Sequence, residues 1–563
     1  MKQIFRKAIL VLIGGVMCNA AWAGGPIDLG NGTSRLGAED NSTAWWTDFT
    51  DYVEIAPNKT LTYTFVNHSS KAAIFANWAL QIIAESNYEW LLMRSDCYGV
   101  TGGDWDNKNT NKPGWFLVNY DDYDRTTDDV FKNNLDGATV VMTIKRNDAS
   151  LILIEDVTTS DGTKKFRHFF AMECEADKNN KLKARLTVDR AHLIINNTVP
   201  VVDSDPLQAV TGIQVGRSDL ATPWWTAHSP YYIIKGGETA KLHFKNYSCK
   251  AKNQNNWVLV VTNDNNREEA EYKEYFALRS DHFGWNGQMG DYWNSANLTS
   301  NYNWGTYRDE MNGADVVMTI ERDGDNVSIT AVQTAATDGS TVRTESYTFT
   351  ESSTNTIRVF LTIEGGMLDI LPESIEISTI GWGTFVSDNA LDFTTPIAGL
   401  TPYMVTGHTG NAITLSEVTT TVPARTPLLL KGTAGNNYTI PVVASSSTDV
   451  SSNKLQRGTG TVSYEAGKTR YVLSADGTTP IFKKLVDGTP APVTSNKAYL
   501  EFDETIDARE LTFDFDSETT AISELTNTNL TNYTNEYFNL AGQRVANPTK
   551  GLYIVNGKKV VVK

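Results

Sequence analysis

The sequence predicts an all-β chain. Tandem antiparallel β-sandwiches of jelly-roll type are followed by a smaller β-domain and a short β-rich tail. Three observations predict this. The first two-thirds of the 563 residues carry one module written twice. Each copy breaks into short runs of alternating apolar and polar residues separated by turn signals. Helical periodicity is almost absent.

The duplication is visible without gaps. Residues 43–72 and 222–251 align so that Trp46 and Asn67, like Trp225 and Asn246, stand 21 apart. The match continues through Asn77-Trp78 and Asn256-Trp257, then Arg94-Ser95-Asp96 and Arg279-Ser280-Asp281. It resumes at Asp136-Gly137-Ala138 and Asn312-Gly313-Ala314. A period near 175 residues is far above solenoid repeats and marks duplicated domains.

Residues 1–23 read as a secretory leader. Lys2, Arg6 and Lys7 precede the apolar run Ala8–Val16, and Ala21-Trp22-Ala23 forms a small-x-small cleavage site. Cys18 follows Met17 rather than the small residue that lipoprotein processing needs. Cleavage removes three cations and takes the formal net charge from −17 to −20. So acidic a chain disfavours nucleic acid and anionic membranes as partners. No later apolar run is long enough for a membrane span. Cys97, Cys174 and Cys249 are an odd set that fits no disulfide framework.

The two sandwiches are expected at 24–198 and 199–372. Tyr52–Ile55 and Leu61–Phe65 flank Pro57-Asn58, while Val316–Arg322 and Val327–Val332 flank Asp323-Gly324, and both patterns signal hairpins. Trp304, Tyr307 and Met311, matched by Phe131 and Leu135, are spaced for one or two helical turns. Residues 373–516 are rich in Thr, Ser, Gly and Val and read as a further β-domain. A polar linker at 517–536 leads to the tail at 537–563.

Twelve of the thirteen Trp residues after the leader lie in the repeats, which makes their placement the main functional signal. Trp46/Trp225 and Trp78/Trp257 recur at fixed offsets and are assigned to the cores. The segments between the Arg-Ser-Asp motif and the Gly-Ala strand differ in length, 38 residues from Gly99 to Gly137 and 29 from Gly284 to Gly313. The first carries Trp105, Trp115, Tyr120 and Tyr123; the second carries Trp285, Tyr292, Trp293 and Tyr302. Asn and Asp are interleaved throughout. Indole and phenol faces stack on the C–H faces of a pyranose, and amides and carboxylates pair with its hydroxyls. These eight residues are therefore the candidate sites for a poly- or oligosaccharide. The competing reading has them anchoring long loops to the sandwich.

The paired Arg94/Asp96 and Arg279/Asp281 are expected to pin a turn through a partly buried ion pair. Asp104, Asp106 and Asn107, or Asp121, Asp122 and Asp124, offer oxygens to Ca²⁺ without the twelve-residue loop spacing, so structural calcium stays open and no other cofactor is expected. The nearest approach to paired catalytic acids is Glu173-Cys174-Glu175, which has no counterpart in the second copy. No Gly-x-Ser-x-Gly elbow, His-Glu-x-x-His helix or phosphate loop occurs. The expectation is a binding protein rather than an enzyme. A protein-binding adhesin or surface structural protein, and a jelly-roll polysaccharide-degrading enzyme with acids on distant loops, remain the alternatives.

The segments Tyr537-Phe538-Asn539-Leu540-Ala541-Gly542-Gln543-Arg544-Val545 and Lys550-Gly551-Leu552-Tyr553-Ile554-Val555 resemble the C-terminal sorting tails of secreted Bacteroidota proteins read by the type IX secretion machinery. Gly381-Trp382-Gly383-Thr384-Phe385 and Leu428-Leu429-Leu430-Lys431-Gly432 resemble a β-module that recurs before such tails. The repeats are similar in pattern to the lectin-like, concanavalin-type or jelly-roll binding modules of gut Bacteroidota glycan systems. Together these resemblances imply a secreted or outer-membrane-surface protein, with the secretion machinery as a partner through its tail.

Overall fold

The computed structural model describes residues 24–96, 114–119, 128–163, 165–266, 268–281, 283–285, 289–292, 304–340, 342–513, 523–525, 537–540, 543–555 and 558–562. Strands make up 52% of the chain and helix 3%, in antiparallel sheets of sandwich type. The chain falls into two compact units, 1–236 with 240–371, and 372–563 with 237–239.

In the first repeat, the strands Lys59–Ser69, Ala138–Asn147, Ser150–Thr158 and Lys165–Glu173 lie side by side in a nine-stranded sheet. Its partner is a four-stranded sheet in the order Val53–Ile55, Leu182–Val188, Trp78–Ala84, Glu89–Arg94. Their facing side chains, among them Tyr63, Phe65, Met142 and Leu153 against Trp78, Leu80, Leu91 and Leu186, form one core. Period-two alternation in each strand puts these residues on one face.

The second repeat has two six-stranded sheets. One holds Thr239–Ser248, Ala314–Asp323, Asn326–Thr334 and Val342–Thr350. The other runs Tyr232–Ile234, Ile357–Ile363, Trp257–Asn263, Glu274–Arg279, Phe283–Trp285, Met289–Tyr292.

The repeat holds at the level of single atoms. Asn67 Nδ2 donates to Asn77 Oδ1 at 2.7 Å and to the Leu135 carbonyl at 2.8 Å. Asn246 Nδ2 donates to Asn256 Oδ1 and the Met311 carbonyl at the same two distances. Leu135 and Met311 end the two short helices, Asp128–Leu135 and Trp304–Met311, so each asparagine satisfies a carbonyl that the helix leaves without a partner. Gly137 and Gly313 follow with φ of 77° and 85°, the left-handed helix stop that glycine adopts most cheaply.

One boundary differs from the sequence reading. Val201–Asp203, placed by the sequence past the end of the first repeat in the linker Asn196–Pro206, pairs with the strand Lys59–Ser69 of the first repeat, at Leu61↔Val201 and Lys59↔Asp203. Its three residues are all exposed, so no alternation announces the strand.

The second unit contains a nine-stranded sheet whose core includes Trp382, Tyr403, Leu429, Tyr471, Phe482 and Leu500. The tail contributes four strands to a five-stranded sheet in which Tyr537, Tyr553, Val555, Val560 and Val562 cluster. The fifth strand, Ser523–Leu525, comes from the stretch read in the sequence as a linker and pairs in parallel with Lys558–Val562.

Candidate functional site

Of the eight candidates from the sequence, Trp105, Tyr120, Tyr123, Trp293 and Tyr302 lie outside the described residues, as do the acids considered for calcium. Three fall on described strands. Trp115 is in register with Ala171, which pairs with Ile152. Tyr292 is in register with Phe283. Trp285 is in register with Ala277, which continues through Val260 to Phe360, a single row across the sheet of the second repeat that holds Ile357–Ile363.

The structure corrects the assignment of one Trp pair. Trp78 and Trp257 are fully buried, but Trp46 is 46% exposed and Trp225 is only partly buried. Both sit in left-handed backbone, at φ 67° and 61°. The turn around Trp46 is closed by Thr47 N donating to the Ala44 carbonyl at 3.4 Å, with Thr47 Oγ1 on the same carbonyl at 2.8 Å. Thr226 N and Oγ1 repeat this on the Pro223 carbonyl at 3.3 and 2.7 Å. A positive φ at the third residue is what a type II turn demands, and glycine or asparagine normally supplies it. Tryptophan there costs on the order of 1–2 kcal/mol. Two further left-handed residues recur at the same offset of 179: Asn41 with Leu220, and Lys71 with Lys250.

From this turn the chain runs along a sheet edge, beside Leu182–Val188 in the first repeat and Ile357–Ile363 in the second, with an aromatic residue at every third position. In the first repeat these are Trp46, Phe49 and Tyr52; in the second, Trp225, His228 and Tyr231. Phe49 and His228 are anchored by equivalent bridges to Thr187 and Thr362. Trp46 and Phe49 have ring centroids 5.8 Å apart. Tyr52 and Tyr231 are each 37% exposed. Each repeat thus carries an aromatic strip along a sheet edge.

The two strips rest on different chemistry. In the first repeat the equivalent row is Arg185, Gln81 and Leu92. The Arg185 guanidinium lies 3.8 Å from the Phe49 ring centroid and 4.4 Å from that of Tyr52. Its Nε donates to Gln81 Oε1 at 2.7 Å, and Gln81 Nε2 donates to Glu89 at 2.6 Å. In the second repeat the row is Phe360, Val260 and Ala277, with Trp224 and Trp225 packed against it. Phe360 lies 6.2 Å from Trp225, 5.7 Å from His228 and 5.4 Å from Tyr231. Accordingly every residue of Ile357–Ile363 is buried, while Lys183 and Arg185 break the burial of Leu182–Val188.

The interior polar groups answer to packing. Arg94 grips Asp96 through Nε and Nη2 at 3.0 and 2.6 Å, and Arg279 grips Asp281 in the same fork. The buried Trp78 indole donates to Glu155 at 3.4 Å, and Glu155 faces His168 at 2.9 Å. The Trp257 indole donates instead to Gln333 at 3.0 Å, and Gln333 donates to Glu345. Burial holds the Glu345 carboxyl well above the usual carboxylate range. A cleft of about 370 Å³ between the repeats is lined by Arg167 and Lys250, each already paired, with Asp156 at 2.6 Å and Asp309 at 3.0 Å. Among the described residues no group of three His, Cys, Asp or Glu side chains is placed to hold a metal ion.

Comparison with family models, curated proteins and solved structures finds no match to this chain.

The sequence reading passes over Trp46, Phe49, Tyr52 and Arg185 because it equates recurrence with core. The missed signal is spacing. Core residues of a strand recur at even intervals, whereas 46, 49, 52 and 225, 228, 231 step by three.

Proposed function

We propose that this chain is a secreted, surface-displayed glycan-binding protein that holds its ligand without cleaving it. The observation that carries this reading is the tryptophan held in left-handed backbone at the head of an aromatic strip in both repeats, half exposed in the first and partly buried against the sheet in the second. Backbone strain kept at a tryptophan whose ring is left half exposed in the first repeat supports a functional reading of that position. Flat aromatic faces in line, flanked by amide and guanidinium donors, match a run of sugar rings with their hydroxyls. Trp285 stands on the register row that starts at Phe360, three strands further across the sheet. The leader and the tail supply a route to the cell surface in this reading.

Glycan-array profiling of the full chain, followed by calorimetry on the ligands found, tests the proposal. Trp46→Asn and Trp225→Asn should each weaken binding. Binding to a protein and to no glycan would move the chain to the adhesins, and release of reducing sugar would make it an enzyme.

A further inference from the structure

Resting on that reading, we propose that the strip of the first repeat recognises an acidic sugar through Arg185, its planar guanidinium pairing with the carboxylate of a uronate unit stacked on the neighbouring rings. Other arginines in the two repeats are committed elsewhere. Arg94, Arg167, Arg190, Arg217 and Arg279 each pair with a carboxylate. Arg358, which lies over Tyr231 in the second strip, gives Nε to the Asn263 carbonyl and Nη1 to Asn266.

Arg185 differs. Among the described residues its one hydrogen bond is from Nε to the neutral Gln81, and it forms no ion pair. Phe49 and Tyr52 lie against the guanidinium carbon, and neither Nη group makes a hydrogen bond among the described residues. Glu89, whose field reaches Arg185, is bonded to Gln81, and Glu54 is paired with Lys181 at 2.7 Å. Lys183, one place along the same face, adds a second cation that forms no ion pair among the described residues.

A guanidinium fork matches a planar carboxylate in two parallel bonds. The second repeat has Phe360 at the equivalent position, and the guanidinium of its own strip, Arg358, is buried and tied to Asn263 and Asn266, so this strip should take a neutral or less polar face of the polymer.

The test uses the full chain with four probes: polygalacturonate, its methyl ester, a sulfated galactan and a neutral mannan. Wild type should bind the free acid about tenfold more tightly than the ester, as expected for one charge-assisted fork. Added salt should shrink that preference. Arg185→Gln should bring the acid down to the level of the ester and leave the ester within about twofold. Arg185→Lys keeps the charge without the fork and should lose most of the preference, which also guards against a Gln variant that fails to fold. Equal binding of acid and ester by wild type, a preference that survives Arg185→Gln, or binding of the sulfated polymer alone would each overturn the assignment. If Trp46→Asn still weakens neutral-glycan binding in any of those cases, the glycan reading stands and only the charge inference falls. Binding of none of the four would overturn the charge inference and leave the glycan reading to the array.

Discussion

Trp46 and Trp225 occupy the same turn position, but the surroundings that offset the strain differ. Trp46 is half exposed and touches Phe49, whereas Trp225 also packs on Trp224 and Phe360. Asparagine tolerates left-handed backbone, so Trp46→Asn trades relief of about 1–2 kcal/mol against a modest loss of packing. Its melting temperature should stay within about 2 °C of wild type while glycan affinity falls roughly tenfold. Trp225→Asn should unfold measurably earlier, because its indole covers buried apolar sheet. Glu345 gives a prediction of the opposite kind. Its folded-state pKa is raised above the ordinary 4.5 by burial, so the folded protein keeps a proton that the unfolded chain releases. Its contribution is therefore fully favourable only below about pH 4.5. Above that it is lost at about 1.4 kcal/mol per pH step until the folded carboxyl itself ionises. Glu345→Gln should raise the urea midpoint at pH 7 and leave it nearly unchanged at pH 4. An equal change at both pH values would assign the effect to packing alone.

At the level of elements, the hairpins and the two short helices are legible because their signals are local: Asp323-Gly324 between alternating runs, and Trp304, Tyr307 and Met311 at helical spacing. The aromatic strip is not legible, because recurrence marks any residue the fold reuses, buried or exposed. A closer clue lies in the strands. Leu182–Val188 alternates while Ile357–Ile363 is apolar throughout apart from Arg358 and Thr362, and a strand buried on both faces implies a cover on each. The Val201–Asp203 edge strand carries no alternation at all and so reads as linker. The asparagine that joins strand to helix is the element most sensitive to change. Asn246 bonds Asn256 and Met311 through Nδ2, and its Oδ1 accepts from Trp257 N at 2.9 Å. Asn246→Ala leaves these groups buried and unpaired and should cost about 3 kcal/mol, measured as a loss of unfolding free energy in urea. A cost below about 1 kcal/mol would mean that the helix terminus finds another partner.

Across the paired repeats, the interface decides whether two binding strips act together. Ile152, Phe169 and Ala171 on the first sandwich pack against Ala221 and Ala251 of the second, with Cys249 partly buried beside them. Arg217 spans the junction, bonding Asp219 through Nη2 at 2.8 Å and Glu173 through Nη1 at 2.5 Å, and it also reaches Ser150. The repeats form one compact unit, so their strips hold a fixed relative orientation rather than swinging on a linker. A fixed pair gains avidity only for a ligand whose own repeat spans both sites, since effective concentration collapses when geometry forbids simultaneous contact. The first repeat's Phe169 is 2% exposed, and Phe169→Ala with Arg217→Ala should dissolve the junction without touching either strip. Calorimetric unfolding of residues 24–371 in the full chain should be a single transition in wild type and should separate into two in the double variant. Affinity for a short oligosaccharide should be unchanged, because each strip is intact. Affinity for a long polymer should fall by roughly tenfold or more, toward that of the better single site. Equal losses for both ligands would show that the junction shapes the sites themselves, and no loss for either would show that the two strips bind independently.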